Sequence, residues 1–261
     1  MTMETTSQTS GPSRPATSTP FSVGALFRRP ETGAFMGMVL VFAFFAYFGY
    51  DRNFLSPYGT SSWVNMASTV GIIAIPIGFL MIAGELDISI GAMVPAAKMS
   101  MAIAVGYYGL PVGIGLLITF GLAAFVGWVN GMLVTRTNVP SLIVTLATLF
   151  AVSGLTLFLS LWLTDTTSQA LTSPAWAKAM FGDYHAWGFQ SSVFWWLGMA
   201  AVLYYVLHLS PWGNWIFALG GDKESARNAG IPIDKLKIAL FILAAMAAAL
   251  SGTCEAILSN S

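Results

Sequence analysis

Seven long apolar segments constrain the fold of this chain more than any other feature of its sequence. A helix needs about 20 mostly apolar residues to cross a membrane. Only 8% of the 261 residues are charged, whereas soluble domains carry about a quarter. We therefore predict an all-α fold, a polytopic transmembrane helical bundle of about seven spans. The predicted spans are residues 33–50, 63–83, 91–108, 111–134, 139–163, 191–209 and 238–258.

The basic residues predict how the bundle is oriented. Loops rich in Lys and Arg stay on the cytoplasmic side of a membrane. With a cytoplasmic N-terminus, only Arg52 and Lys178 fall outside, and Lys98 falls within a span. Residues 1–27, rich in Ser, Thr and Pro, are predicted to form a disordered cytoplasmic tail, and residues 28–261 the transmembrane domain. The basic residues predicted to be cytoplasmic are Arg14, Arg28, Arg29, Arg136, Lys223, Arg227, Lys235 and Lys237.

The sequence excludes several kinds of site. The single cysteine, Cys254, excludes an intrachain disulfide and a cysteine metal cluster. The two histidines, His185 and His208, are far apart in sequence, and the formal net charge of zero provides no basic surface for nucleic acid. No G-x-x-x-x-G-K-[ST] motif is present, so ATP is not bound by that route. We therefore predict no catalytic site and no metal site in this chain.

Residues 220–237 (GGDKESARNAGIPIDKLK) hold the densest run of charge in the chain. Asp222 is predicted to cap a helix of about two turns. Gly230 suits the left-handed position after such a helix, and Pro232 prevents its continuation. Asp234 is predicted to cap the next helix. The pattern indicates a short, fixed helix that a cytoplasmic protein contacts, and a solvated turn is the alternative.

Residues 84–91 (GELDISIG) lie between the second and third spans, which Pro76 and Pro95 are predicted to interrupt. Broken helices beside polar residues are where transporters place their binding sites, so the segment is a candidate for the substrate path. The alternative is a short cytoplasmic loop in which an acidic or hydroxyl side chain caps the third span. The polar candidates are Glu85, Asp87 and Ser89.

Lys98 falls inside a predicted span, where a charged side chain needs a partner or a water-filled cavity. Its candidate partners are Glu85, Asp87 and Glu255, and we hypothesise a Lys98–Glu255 pair. The same four groups support an alternative function. In that alternative the chain is a stand-alone secondary carrier or a membrane enzyme that uses Glu85, Asp87, Lys98 and Glu255.

Three stretches of the chain resemble the motifs of one family. Residues 84–91 resemble G-G-I-D-L-S-V-G. Residues 127–149 (GWVNGMLVTRTNVPSLIVTLATL) resemble G-x-x-N-G-x-x-V followed by P-x-x-I-x-T-L, and residues 220–238 resemble G-G-N-x-x-A-A-R-x-x-G-I. In this order they resemble the ABC importer permeases of the ribose and monosaccharide class, which are related to branched-chain amino acid permeases. The resemblance covers roughly residues 63–261.

The resemblance implies that the chain is the membrane-spanning permease subunit of an ATP-driven importer in the bacterial inner membrane. It implies import of a monosaccharide, a ribose-like sugar, delivered by a periplasmic sugar-binding protein. The permease would pair with a second permease subunit. ATP and Mg²⁺ would bind to a separate ABC ATP-binding subunit, so no cofactor and no enzymatic activity is expected in this chain.

The resemblance also assigns roles to residues. Asp222 stands where the family usually has Asn, Ser225 where it has Ala, and Glu85 replaces its second glycine. Because the family continues through further spans, we expect the chain to be truncated at its C-terminus. The implied ATPase-coupling residues are Gly221, Asp222, Glu224, Ala226, Arg227, Gly230 and Ile231. The substrate-path candidates are Glu85, Asp87, Ser89, Lys98 and Asn130, of which Lys98 is not part of any motif of the family.

Overall fold

A computed structural model of the protein describes residues 30–260, with side chains from residue 32. The chain falls into two units, Met1–Leu55 and Ser56–Ser261. In the first unit, helix α1 (Pro30–Phe48) is followed by a 3₁₀ turn (Tyr50–Arg52). The predicted disordered tail, residues 1–27, lies outside the described residues.

The second unit is helical, and the part of the chain that the structure describes contains no β-strand. In chain order its helices are α2 (Pro57–Ile82), α3 (Ile90–Met101), α4 (Val112–Arg136), α5 (Ser141–Thr164), α6 (Ser191–Leu209), α7 (Pro211–Gly221), α8 (Lys223–Asn228) and α9 (Ile233–Ser259). Shorter helical turns are the π-helical continuation of α3 (Ala102–Tyr107) and, between α5 and α6, Ala175–Ala177, Lys178–Gly182 and Ala186–Gly188.

Six of these helices are long and apolar enough to cross a membrane. They are α2, α3 with its π-helical continuation, α4, α5, α6 and α9, and each corresponds to one predicted span. The first predicted span corresponds to α1, whose apolar stretch Thr32–Phe48 is shorter than the other six. The prediction of an all-α polytopic bundle is therefore confirmed.

Helix α9 forms the centre of the second unit, and 72% of its apolar 18-residue stretch is buried. Small residues on neighbouring helices let their backbones approach it closely, as expected of helices that pack in membranes. A Cβ atom at Gly127 of α4 would lie 2.7 Å from the backbone oxygen of Phe241. A Cβ atom at Gly252 of α9 itself would lie 2.4 Å from the backbone oxygen of Val94 in α3. Larger residues at Gly127 or Gly252 would separate these helices.

The predicted interruption of two spans at their prolines is wrong. Pro76 and Pro95 both lie inside continuous helices, α2 and α3. A proline removes one backbone donor from a helix, and the packing of these spans outweighs that loss. The helical path is broken instead between Ile82 and Ile90, where residues 85–88 adopt neither helix nor strand.

Two local features near α8 also differ from expectation. Helix α7 fills a stretch for which no helix was predicted, and Pro211 occupies its first position, where proline is tolerated. The next helix, α9, begins at Ile233 after Pro232. Asp234 therefore lies in its first turn, and the prediction that Asp234 caps this helix is wrong.

Candidate functional site

Helix α8 has the capped geometry that its sequence predicts. The Asp222 carboxylate accepts a hydrogen bond from the backbone N–H of Glu224 at 2.9 Å and one from the Ser225 hydroxyl at 2.6 Å. The Ser225 hydroxyl, followed by the backbone amides of Glu224 and Ser225, lowers the pKa of Asp222 below its ordinary value. After the helix, Gly230 has a φ of +81°, which only glycine adopts without strain. The short helix is thus fixed at both ends.

One face of α8 is buried and the rest of it is exposed. Ala226 is 2% exposed and belongs to a hydrophobic cluster that joins the end of α2 to α7 and the start of α9. Ile231, just after α8, packs against the same cluster. The other predicted coupling residues, which are Gly221, Asp222, Glu224, Arg227 and Gly230, are exposed. The helix therefore rests on three other helices and presents a polar face outward.

The contact between α7 and α2 leaves no room for a side chain at Gly220. A Cβ atom there would lie 1.8 Å from the backbone oxygen of Ile82, the last residue of α2. The next glycine, Gly221, has no atom within 4 Å of the same position. The end of α2 is therefore held directly against the last turn of α7, immediately before α8.

The segment that follows α2, residues 85–88, runs along the first turns of α5. The Leu86 N–H donates to the Ser141 hydroxyl at 3.1 Å, and the Ile88 N–H donates to the Thr145 hydroxyl at 3.2 Å. The side chain of Asp87, between them, is buried. Non-helical backbone is tolerated inside a membrane protein only where such partners satisfy its polar groups. The backbone of the segment is thus fixed to α5, with Asp87 buried and the side chains of Leu86 and Ile88 exposed.

Four buried or partly buried polar side chains form a hydrogen-bonded chain that starts in this segment. The Ser89 hydroxyl donates to Asp87 Oδ1 at 2.5 Å, and Asn130 Nδ2 of α4 donates to the Ser89 oxygen at 2.8 Å. The Thr148 hydroxyl of α5 donates to Asn130 Oδ1 at 2.6 Å. Asp87 Oδ2 is buried and accepts no hydrogen bond from the described residues. Three predicted site residues therefore meet, and they join the segment to α4 and α5.

Glu85 lies apart from this chain and pairs with Lys237 of α9. The two side chains are 11% and 8% exposed. The Lys237 ammonium donates to Glu85 Oε1, so the pair fastens the segment to the first turns of α9. Lys237 was expected only as a cytoplasmic basic residue, and its role as the partner of Glu85 was missed.

The hypothesised pair of Lys98 and Glu255 is present, with 3.3 Å between Nζ and Oε1. Glu255 lies 18 positions after Lys237 on α9, which corresponds to about 27 Å along a helix. The four charged groups of the alternative function therefore do not form one site. Glu85 pairs at one end of α9 and Lys98 pairs near the other, so the carrier or enzyme alternative is not favoured.

Sequence reasoning missed the hydroxyl residues that hold the segment. Ser141, Thr145 and Thr148 lie inside the stretch 127–149 that carried the resemblance, but were not singled out. Their spacing of four and three places them on one face of a helix, and this periodicity is the signal that was available. No group of three or more potential metal ligands occurs among the described residues.

Comparison with known proteins identifies the family of the chain. A family model described as branched-chain amino acid transport system / permease component matches residues 59–261. A fructose import permease protein of Rhizobium meliloti is 27% identical over 203 residues, which are 77% of this chain and 56% of the relative. A xylose/arabinose import permease protein of Sulfolobus acidocaldarius is 30% identical over 239 residues, 87% and 63% of the two chains.

A third relative, the ribose import permease protein of Bacillus subtilis, is 27% identical over 224 residues, 85% of this chain and 67% of the relative. The chain thus spans between 56% and 67% of the length of these three relatives. No solved structure matches the chain. The family model covers most of the residues that form the six spans, α8 and the irregular segment 85–88, and the chain belongs to the family of permease components of branched-chain amino acid transport systems.

Proposed function

We propose that this chain is the membrane-spanning subunit of an ATP-driven importer and that it translocates a monosaccharide. The observation that carries the proposal is the position of α8. Its buried residue, Ala226, belongs to the cluster that joins α7, the end of α2 and the start of α9. The relatives whose names describe import permeases for fructose, xylose/arabinose and ribose support the class of substrate.

In this proposal α8 is the surface on which a separate ATP-binding subunit acts, and its end of the bundle faces the cytoplasm. A displacement of α8 would move α7 and the end of α2, because Gly220 leaves no gap between them. The segment after α2 is tied to α9 through Glu85 and to α4 and α5 through Asp87 and Ser89. The same displacement would therefore change how α2, α4, α5 and α9 are held together.

A second permease subunit and a periplasmic sugar-binding protein complete the proposed importer. The chain would supply one half of a membrane path, and the binding protein would deliver the sugar to the end of the bundle opposite to α8. ATP and Mg²⁺ would bind only to the ATP-binding subunit. The path would be controlled through the contacts of Glu85, Asp87, Ser89 and Asn130. Lys98 lies near the other end of the bundle.

Co-purification tests the proposal. We would purify the tagged chain in a mild detergent from the cells that encode it and identify the accompanying proteins by mass spectrometry. We expect a protein with a G-x-x-x-x-G-K-[ST] motif, and we expect Arg227→Glu on exposed α8 to remove it. Arg136→Glu, a matched charge reversal on the exposed last residue of α4 at the same end, should retain it. Absence of such a protein from the wild-type preparation would contradict the proposal.

A further inference from the structure

A cavity of about 550 Å³, with several polar residues in its lining, lies at the end of the bundle opposite to α8. Its volume is in the range of small-molecule sites, about 300–1,000 Å³. It involves neither the coupling residues nor the hydrogen-bonded chain around Asp87. The residues that matter for its chemistry are Tyr58, Ser61, Ser62, Asn65, Gln190 and Glu255.

The wall of this cavity is held in place by Asn65. Its Nδ2 donates to the backbone oxygen of Gly188 at 2.9 Å, and its Oδ1 accepts from the backbone N–H of Gln190 at 2.9 Å. Asn65 is 7% exposed. These two bonds fasten α2 to the loop before α6, so the cavity is formed without a ligand.

Glu255 supplies a charged acceptor to the cavity. Its side chain is 48% exposed, although it belongs to one of the spanning helices. Its Oε1 pairs with Lys98, and its Oε2 makes no hydrogen bond to the described residues. A charged side chain that is exposed on a spanning helix must face water or protein, because facing lipid is costly. The cavity provides such an aqueous surface.

We infer that this cavity is a binding site for a neutral polyhydroxylated molecule of the size of a monosaccharide. Hydroxyl groups of the ligand can donate to the free Glu255 oxygen and to the amide oxygen of Gln190, and can accept from Ser62. The rings of Tyr58 and Tyr184, 84% and 60% exposed at the rim, can pack against the C–H face of a sugar ring. The class of ligand rests on the proposed function, whereas the site rests on the cavity itself.

The chemistry of the lining disfavours an amino acid as the ligand. An amino acid brings a carboxylate that requires a cation or several donors. The charged residue that lines the cavity is the acid Glu255, and its partner Lys98 is not among the lining residues. A neutral polyol has no such requirement, and a carboxylate acceptor suits its hydroxyl donors.

Saturation-transfer NMR with D-ribose and D-xylose tests the inference. The full chain would be placed in lipid nanodiscs, because common maltoside detergents themselves carry sugar headgroups. We expect saturation of the protein to reach the ring protons of at least one sugar. Ser62→Trp should abolish the signal by filling the cavity, and Glu255→Gln should weaken binding about tenfold by removing a charged acceptor. Ser168→Trp, the same change at an exposed loop position outside the cavity, should leave the signal unchanged.

Three outcomes would overturn the inference: no transfer to either sugar, an unchanged signal in Ser62→Trp, or equal transfer to L-leucine. The experiment needs no ATP-binding subunit, so it separates the two proposals. A chain that captures an ATP-binding protein but binds neither sugar would refute only the cavity. Sugar binding that Ser62→Trp abolishes, in a chain that captures no ATP-binding protein, would support the cavity while contradicting the proposed function.

Discussion

Glu85 and Lys237 form a nearly buried ion pair between positions that are 152 residues apart in the chain. Glu85 lies three residues after the end of α2, and Lys237 lies in the second turn of α9. Buried charges are costly unless they are paired, so each side chain fixes the position of the other. Through this pair, the irregular segment is fixed to the helix at the centre of the bundle.

Removal of one partner of this pair should therefore destabilise the protein more than removal of both. Lys237→Met leaves the Glu85 carboxylate buried and unpaired, which typically costs about 3–5 kcal/mol. Lys237→Met combined with Glu85→Leu should recover most of that loss. Thermal unfolding of the purified single and double variants in detergent would measure the difference. A loss in the double variant that equals the sum of the losses in Lys237→Met and in Glu85→Leu would show that the two charges do not depend on each other.

Two adjacent glycines should respond differently to the same substitution. Gly220→Ala should lower the midpoint of thermal unfolding by several degrees, because the new Cβ would collide with the backbone of Ile82. Gly221→Ala places a methyl group where no atom lies within 4 Å, and alanine favours a helix over glycine by about 1 kcal/mol. It should be neutral or stabilising. If Gly220→Ala were tolerated equally well, α7 would not be packed against α2 as described.

Asn130 should contribute more to stability than a polar residue that bonds only within its own helix. Asn130→Leu leaves the buried hydroxyl of Ser89 without its Asn130 donor and removes one of the two acceptors of Thr148, and we expect a loss of about 1–3 kcal/mol. Thr135→Val on the same helix is the control, because the Thr135 hydroxyl donates only to backbone oxygens of α4. Unfolding in detergent with increasing sodium dodecyl sulfate would compare the two variants. A larger loss for Thr135→Val would contradict the hydrogen-bonded connection through Asn130 between the irregular segment and helices α4 and α5.

The Asp222 cap predicts a pH dependence of α8. The pKa of Asp222 is lowered in the folded protein, chiefly by the Ser225 hydroxyl. Its contribution to stability should therefore be fully present above the ordinary pKa of an aspartate and be lost as the pH falls through the lowered value. Carbon-13 NMR of the labelled carboxyl group, assigned with Asp222→Asn, would give this pKa. Ser225→Ala should raise it toward the ordinary value, and an unchanged pKa would contradict the hydrogen bond.

Much of the fold could be predicted because its determinants are local. The six long spans follow from the length of their apolar segments, and α8 follows from a capping aspartate at position 222 and a glycine at position 230. Helix α7 was missed because its apolar sequence is too short for a span. The Ser210–Pro211 pair at its start was the available signal of a helix start.

The contacts between distant segments could be predicted only in part. Lys98 and Glu255 were paired correctly because few charged residues lie inside the spans. Lys237 was assigned to the cytoplasmic side by its charge, and its burial beside Glu85 through the packing of α9 was not predicted. Which oppositely charged residues meet depends on how the helices pack, and the order of residues along the chain does not determine this.

Site-specific photo-crosslinking tests most directly whether α8 is the surface on which an ATP-binding subunit acts. A photoreactive amino acid would replace Glu224 on the exposed face of α8 or, as the control, Ser168 in the loop at the opposite end of the bundle. After illumination of whole cells, we expect position 224 to be linked to a protein with a G-x-x-x-x-G-K-[ST] motif and position 168 to give no such product. A link to that protein from position 168 alone, or from neither position, would contradict the account.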